Sequence, residues 1–161
     1  MSYLDKNLVA GEQVVFRTRL HWIIYLKSIF VFILVLVISS SGVIYQNNWL
    51  YGIAAIFLFI AIILFIASWI KYISSEFGVT NSRVLIKVGF ISRNSLELLI
   101  SKVEGIGVNQ SIFGRIFNYG TIIVTGTGGT KESFSIISQP LEFRKKVQEQ
   151  IIALQGIKTQ G

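Results

Sequence analysis

"WIIYLKSIFVFILVLVISSSGVIYQNNWLYGIAAIFLFIAIILFIASWIKY", residues 22–72, decides the architecture of this chain. From Trp22 to Tyr45 the only charged side chain is Lys27, and from Trp49 to Ile70 there is none. Each run supplies the roughly 20 apolar residues that a helix needs to cross a hydrocarbon core about 30 Å thick. Neither run has a polar face, so neither reads as the core helix of a soluble domain. In lipid a helix satisfies its own backbone hydrogen bonds, which accommodates Ile- and Phe-rich runs of middling propensity. Two transmembrane helices are expected. Only Gln46-Asn47-Asn48 lies between them, and so short a link forces an antiparallel hairpin. Trp22 and Tyr25 stand at its start, Tyr45, Trp49 and Tyr51 at its turn, and Trp69 and Tyr72 at its end. Amphipathic rings prefer these headgroup levels.

The flanks carry Arg17, Arg19, Lys27 and Lys71, and the turn carries no Lys or Arg. The positive-inside rule then places both termini in the cytoplasm and the turn outside, a multi-pass protein of the cell membrane with two spans. A cleaved signal peptide ending near Ser39-Ser40-Ser41-Gly42 is the competing reading. The long N-terminal lead and the immediate second run argue against it. The chain thus divides into a cytoplasmic N-terminal segment (1–21), the hairpin (22–72), a second domain (74–155) and a polar tail (156–161).

Composition agrees with a membrane component. Of 161 residues, 52% are hydrophobic and 14% charged, against a usual charged share of roughly 25%. The absence of cysteine excludes disulfides and thiolate metal sites, and one histidine, His21, is too few for a His-rich metal site. Residues 1–27 hold four basic and two acidic side chains, and residues 71–161 eleven basic and six acidic. A positive domain tethered at the inner leaflet faces anionic lipid. The basic residues are scattered, so nucleic acid is not expected as a partner.

Beyond Ser74 short apolar runs alternate with turns. Strands are expected at 76–80, 83–89, 92–100, 103–111, 121–126 and 132–138, with Asn81-Ser82 as a tight turn. In 83–89, Val84, Ile86 and Val88 share one face, and Arg83, Leu85 and Lys87 the other. Gly105 and Gly107 weaken their strand and mark a bulge or a close backbone approach. Residues 112–120, "IFGRIFNYG", are too apolar for a solvated loop and are expected to fold back onto the core or the membrane surface. A helix begins at Pro140, which suits the first helical position. Phe143, Val147, Ile151 and Leu154 form its apolar stripe, Glu142 complements the dipole, and Glu142 can pair with Lys146.

The run "GTGGTK", 126–131, raises the question of a phosphate cradle. A P-loop requires G-x-x-x-x-G-K-[ST] opening a helix. Here the glycines precede an alternating strand, so they read as a hairpin turn with positive φ. No cofactor is expected.

Several antiparallel strands closed by one C-terminal helix follow the plan of a pleckstrin-homology domain. Thr80–Arg83 "TNSR", Lys87–Gly89 "KVG", Ser101–Glu104 "SKVE", Gln110–Thr121 "QSIFGRIFNYGT", Gly126–Thr130 "GTGGT" and Pro140–Lys145 "PLEFRK" resemble the bacterial pleckstrin-homology family, in its membrane-anchored, YdbS-like kind. The N-terminal "GEQVVFRTRLHW", 11–22, and the hairpin extend the resemblance over nearly the whole chain. It implies a membrane α-hairpin plus an α+β domain, an antiparallel sheet or barrel with a C-terminal helix, and no established catalytic role. Eukaryotic relatives of that fold often bind phosphoinositides through a long basic loop between the first two strands; here only Asn81-Ser82 stands in that place.

Two functions follow as expectations. One is a non-enzymatic, membrane-anchored binding or scaffold module that meets a protein partner or a second copy. Its sheet edges, helix face or 105–120 segment supply the contact. The other is an anionic-lipid-binding module acting through Arg83, Lys87, Arg93, Arg144, Lys145 and Lys146, although the last three also read as a solvated helix face. An enzyme is not expected, because nothing pairs Glu97, Glu104 or Glu132 with a nucleophile or metal. The two runs also lack an interior acid or base for a proton pathway.

Overall fold

The computed structural model of the chain describes Leu4, residues 7–89 and residues 94–159. It divides into two units, Trp22–Ile73 and Met1–His21 with Ser74–Gly161.

In the first unit a 3-10 turn, Trp22–Tyr25, leads into α1, Leu26–Ile44, and Asn48–Ser74 forms α2. Trp22–Ile44 and Asn48–Ser74 are both long and apolar enough to cross a membrane, and little of either is buried within the molecule. The link between them turns at Gln46, whose φ is 48°. The residues buried in the helices are small or of medium size, namely Ser28, Val35, Gly42, Ala54 and Ala61. Small residues let helix backbones approach where no hydrophobic effect drives them together. At Gly42 an added Cβ would lie 3.2 Å from the Tyr51 ring, so the turn end is closely packed. The hydroxyls of Ser28, Ser40 and Ser41 donate to carbonyls within the same segment, which removes the cost of placing them in an apolar medium.

The second unit holds seven strands: β1, Val14–Thr18; β2, Glu76–Thr80; β3, Arg83–Val88; β4, Asn94–Leu99; β5, Val103–Asn109; β6, Tyr119–Gly126; and β7, Lys131–Ser138. A short helix α3, Ile112–Ile116, precedes β6, and α4, Pro140–Thr159, ends the unit. The strands form a four-stranded sheet, β1-β2-β3-β4, and a three-stranded sheet, β5-β6-β7, antiparallel throughout. Four strands, three strands and a closing helix make up the expected pleckstrin-homology plan. The part of the expected 92–100 strand at 92–93 lies outside the described residues.

Two features depart from the sequence reading. The described part of the N-terminal segment is not set apart from the domain, because β1 pairs with β2, Thr18 opposite Phe77 and Arg17 opposite Gly78. Beyond β1 the chain crosses to the other sheet. Leu20 bridges Ile137, His21 N–H donates to the Ile136 carbonyl (2.8 Å), and Ser138 N–H donates to the Arg19 carbonyl (3.0 Å). The second departure is at β3. Leu85 is fully buried although it lies on the face with Arg83 and Lys87. Its partner across the ladder is Gly78, and a Cβ there would meet Leu4 at 2.7 Å. The bare backbone of Gly78 thus seats Leu4, whose N–H donates to the Glu76 carboxylate.

The core joins Phe77, Val79, Val84 and Ile86 to Ile122, Val124 and Ile137, all at most 1% exposed. Phe143 and Val147 of α4 complete it, and Phe143 meets Phe16 of β1 edge-on at 6.4 Å between centroids. Ile151 and Leu154 continue the stripe half-buried. Lys146 pairs with Glu149 at 3.0 Å, not with Glu142; both are within one turn of it, so either is sterically available. The helix runs on to Thr159, past the expected start of the tail. The bulge expected near Gly105 occurs between Val103 and Gly105.

Candidate interaction surface

Of the six basic residues singled out by sequence, the five among the described residues are divided between β3 and α4. Arg83 is engaged on several sides. Its Nε and Nη2 donate to the Glu12 carboxylate and its Nη1 to Glu97, each at 2.9 Å, and Nη2 also reaches the Asn7 carbonyl. The Glu12 side chain is only 3% exposed. Burial alone would push its carboxyl up. Hydrogen bonds from Arg83, Thr80 and the Val9 N–H, with the Arg83 charge, outweigh that and hold it at about 2. Arg83 therefore ties the N-terminal segment to the β2–β3 turn. Lys87 is half-buried and stands opposite Glu76 and Ser95 in the ladders. Arg93 lies outside the described residues. Arg144 is half-buried, Lys145 exposed, and Lys146 paired with Glu149, all on α4.

Thr80 also shapes that turn, since its hydroxyl oxygen accepts from Ser82 N–H (3.2 Å) and Arg83 N–H (2.9 Å). Asn81 takes no left-handed conformation there; among the described residues the asparagine with positive φ is Asn118. The "GTGGT" run is a β6–β7 hairpin turn, with Gly128 and Gly129 at φ 91° and 76°. Lys131 opens a strand, as expected of a chain reversal.

The most unusual surface is α3. Its residues do not fold back onto the core. Ile112, Phe113, Ile116 and Phe117 are 78%, 66%, 69% and 46% exposed. Four adjoining large apolar side chains on a surface require a physical reason, because scattered single ones do not. Slack in the loop is not that reason. The Ser111 hydroxyl caps the helix by accepting from Gly114 N–H at 3.1 Å. Gln110 Nε2 donates to the carbonyls of Gly114 (3.2 Å) and Tyr119 (3.0 Å), bracketing the helix from outside. A Cβ on Gly114 would lie 2.6 Å from the Tyr119 carbonyl oxygen, and one on Gly120 would lie 2.8 Å from that of Asn109. The polar and glycine positions of "QSIFGRIFNYGT" thus hold a rigid base, and the apolar positions point away from it. His21 fastens the far side. Its ring stacks on Tyr119 at 5.3 Å and bonds the Phe117 carbonyl. Burial lowers the imidazole pKa, and that hydrogen bond only partly offsets it. Of the two places expected for these apolar residues, the core or the membrane surface, their exposure excludes the core, and it depends on the bracket by Gln110 and Gly120.

Strand β1 changes the meaning of the loop comparison as well. The connection between the first two strands is not Asn81-Ser82, which joins β2 to β3. It is residues 19–75, which contain the apolar hairpin. That connection is filled here by two membrane-length helices.

No curated protein and no solved structure matches the chain significantly. The profile of one family, described as the bacterial PH domain, matches residues 21–154. That stretch takes in the hairpin, β2 to β7 and most of α4. With the strand order and closing helix already described, it follows that the chain belongs to the bacterial PH domain family.

Proposed function

We propose that the protein is a membrane-anchored binding or scaffold module at the cytoplasmic face of the cell membrane, and that it performs no catalysis. The observation that carries this reading is the insertion of the hairpin between paired strands. Thr18 faces Phe77 across the ladder, so both tethers leave the same end of one strand pair. A domain tethered twice at one end is restrained near the bilayer and leaves other surfaces available. The contact surface is a sheet edge. β4 and β5 are outer strands of their sheets, and edge strands offer unpaired backbone groups to a partner protein or a second copy. On β5, Gly105 has open space around it. The anionic-lipid reading through basic side chains has less support, because Arg83 and Lys146 are already bonded to carboxylates.

Two measurements test the proposal, and the lack of native cysteine makes both clean. A cysteine at Asn47 reacts with an impermeant thiol reagent in intact cells, and one at Gln148 does not; the opposite pattern reverses the orientation. A cysteine at Gly105 forms a crosslinked adduct with a short bis-maleimide in native membranes. Absence of any adduct removes the β5 edge as the contact.

A further inference from the structure

We infer that α3, with Phe117 just beyond it, is a second, interfacial membrane contact, these four apolar side chains lying among the headgroups and upper acyl chains of the leaflet that the domain faces. The inference rests on the reading of the hairpin as a membrane anchor. Three observations single out a bilayer as the occupant of this face.

The first is continuity. α3 is fastened through Phe117 and Tyr119 to His21, and the next residue, Trp22, begins the apolar hairpin. The exposed patch is thus held one residue along the chain from the start of the first span. The second is charge. Within the domain, residues 13–21 and 109–121 contain Arg17, Arg19 and Arg115 and no carboxylate at all. Arg17, Arg19 and Arg115 are exposed. Cations beside an apolar face suit an anionic leaflet, where each contributes favourably near the surface. The third is rigidity. The Gln110, Ser111 and glycine contacts hold Ile112, Phe113, Ile116 and Phe117 outward with no polar group among them except Arg115. Amphipathic elements bound at an interface present this combination of buried apolar residues and flanking cations. Arg115 can keep its charge at the headgroups while its stem lies along the apolar surface.

The test uses the full chain, carrying one cysteine at a time labelled with an environment-sensitive fluorophore. It is reconstituted into vesicles of phosphatidylcholine and phosphatidylglycerol with or without nitroxide-labelled lipid. Labels are placed at Phe113 and Ile116, at Gln148 as the solvent-exposed control, and at Phe59 in α2. Expected are blue-shifted emission at Phe113 and Ile116 with strong quenching by a nitroxide near the headgroup, water-like emission at Gln148, and quenching at Phe59 by a nitroxide deep in the acyl region. Water-like, unquenched signals at Phe113 and Ile116 with Phe59 still quenched overturn the α3 contact and leave the anchor standing. A blue shift there without lipid quenching, growing with protein-to-lipid ratio, means that a second copy covers the patch and also overturns it. Loss of quenching at Phe59 removes the anchor itself and the inference with it.

Discussion

Thr18 and Phe77 face each other across the β1–β2 ladder, and the entire apolar hairpin lies between them in the chain. The domain is therefore complete only when both sides of the hairpin contribute to it. Three residues beyond each partner lie His21 and Ser74. At about 3.4 Å per residue their separation is at most roughly 25 Å.

A linker of about 20 Gly and Ser residues spans that distance at its relaxed length. Residues 1–21 joined through it to residues 74–161 are expected to give a soluble domain with a cooperative thermal transition. Residues 74–161 alone lack β1 and with it Phe16, which packs on Phe143. They leave the edge of β2 bare and are expected to aggregate or remain unfolded. Equal circular-dichroism melts for the two chains would show that β1 is dispensable.

The Glu12–Arg83 pair makes stability depend on pH. Its folded carboxyl sits at about 2, below the ordinary 4.5. The contribution is then fully present above about pH 4.5 and is lost as pH falls from there toward 2, of order 3 kcal/mol in all. His21 acts in a higher window. Its folded pKa lies below 6.5, so protonation favours the unfolded chain and stability declines as pH falls below that value. Thermal melts of the full chain in detergent should show both steps, and His21→Gln should flatten only the upper one. Arg83→Ala leaves Glu12 buried and uncompensated, at a cost of about 3–5 kcal/mol. Glu97→Ala removes an exposed partner and costs no more than about 1 kcal/mol. Similar losses for the two variants would contradict the assignment of the buried pair.

Phe143 is 0% exposed, at the junction of α4 with β1. Phe143→Ala is expected to cost about 3–5 kcal/mol, a large share of the ~5–15 kcal/mol typical of a domain. Lys145, exposed on the same helix, should tolerate alanine within about 0.5 kcal/mol. Chemical denaturation of the full-length variants measures both. A wild-type midpoint for Phe143→Ala would mean that α4 does not close the sheets.

Gly114→Ala places a methyl group 2.6 Å from the Tyr119 carbonyl oxygen, backbone that cannot swing aside. It is expected to displace α3 and cost about 1–3 kcal/mol. Hydrogen exchange should quicken at Gly114 and Tyr119 above all. Gly105→Ala, with nothing near its added methyl, is the matched control. Unchanged exchange in Gly114→Ala would show that the bracket around α3 is loose.

What could be read from the sequence was set by short-range physics. Two runs, one with Lys27 as its only charge and one with none, have the length and hydropathy of membrane helices whatever surrounds them. The Gly128–Gly129 turn needs positive φ, which glycine provides locally. Phe143 and Val147 share a helical stripe by spacing alone. The family motifs around Gln110 and Gly126 carried the fold class. What escaped depended on partners far along the chain. β1 is a short strand whose identity comes from its pairing with β2 across the hairpin, and no local pattern records that pairing. Arg83 looked like a surface cation until the fold placed Glu12 against it. The apolar residues of α3 signalled burial, but hydropathy measures only avoidance of water and does not say which apolar surroundings take its place. Tertiary structure decided only that the domain core does not take its place, because Gln110, Gly114, Gly120 and His21 converge to hold the helix outward.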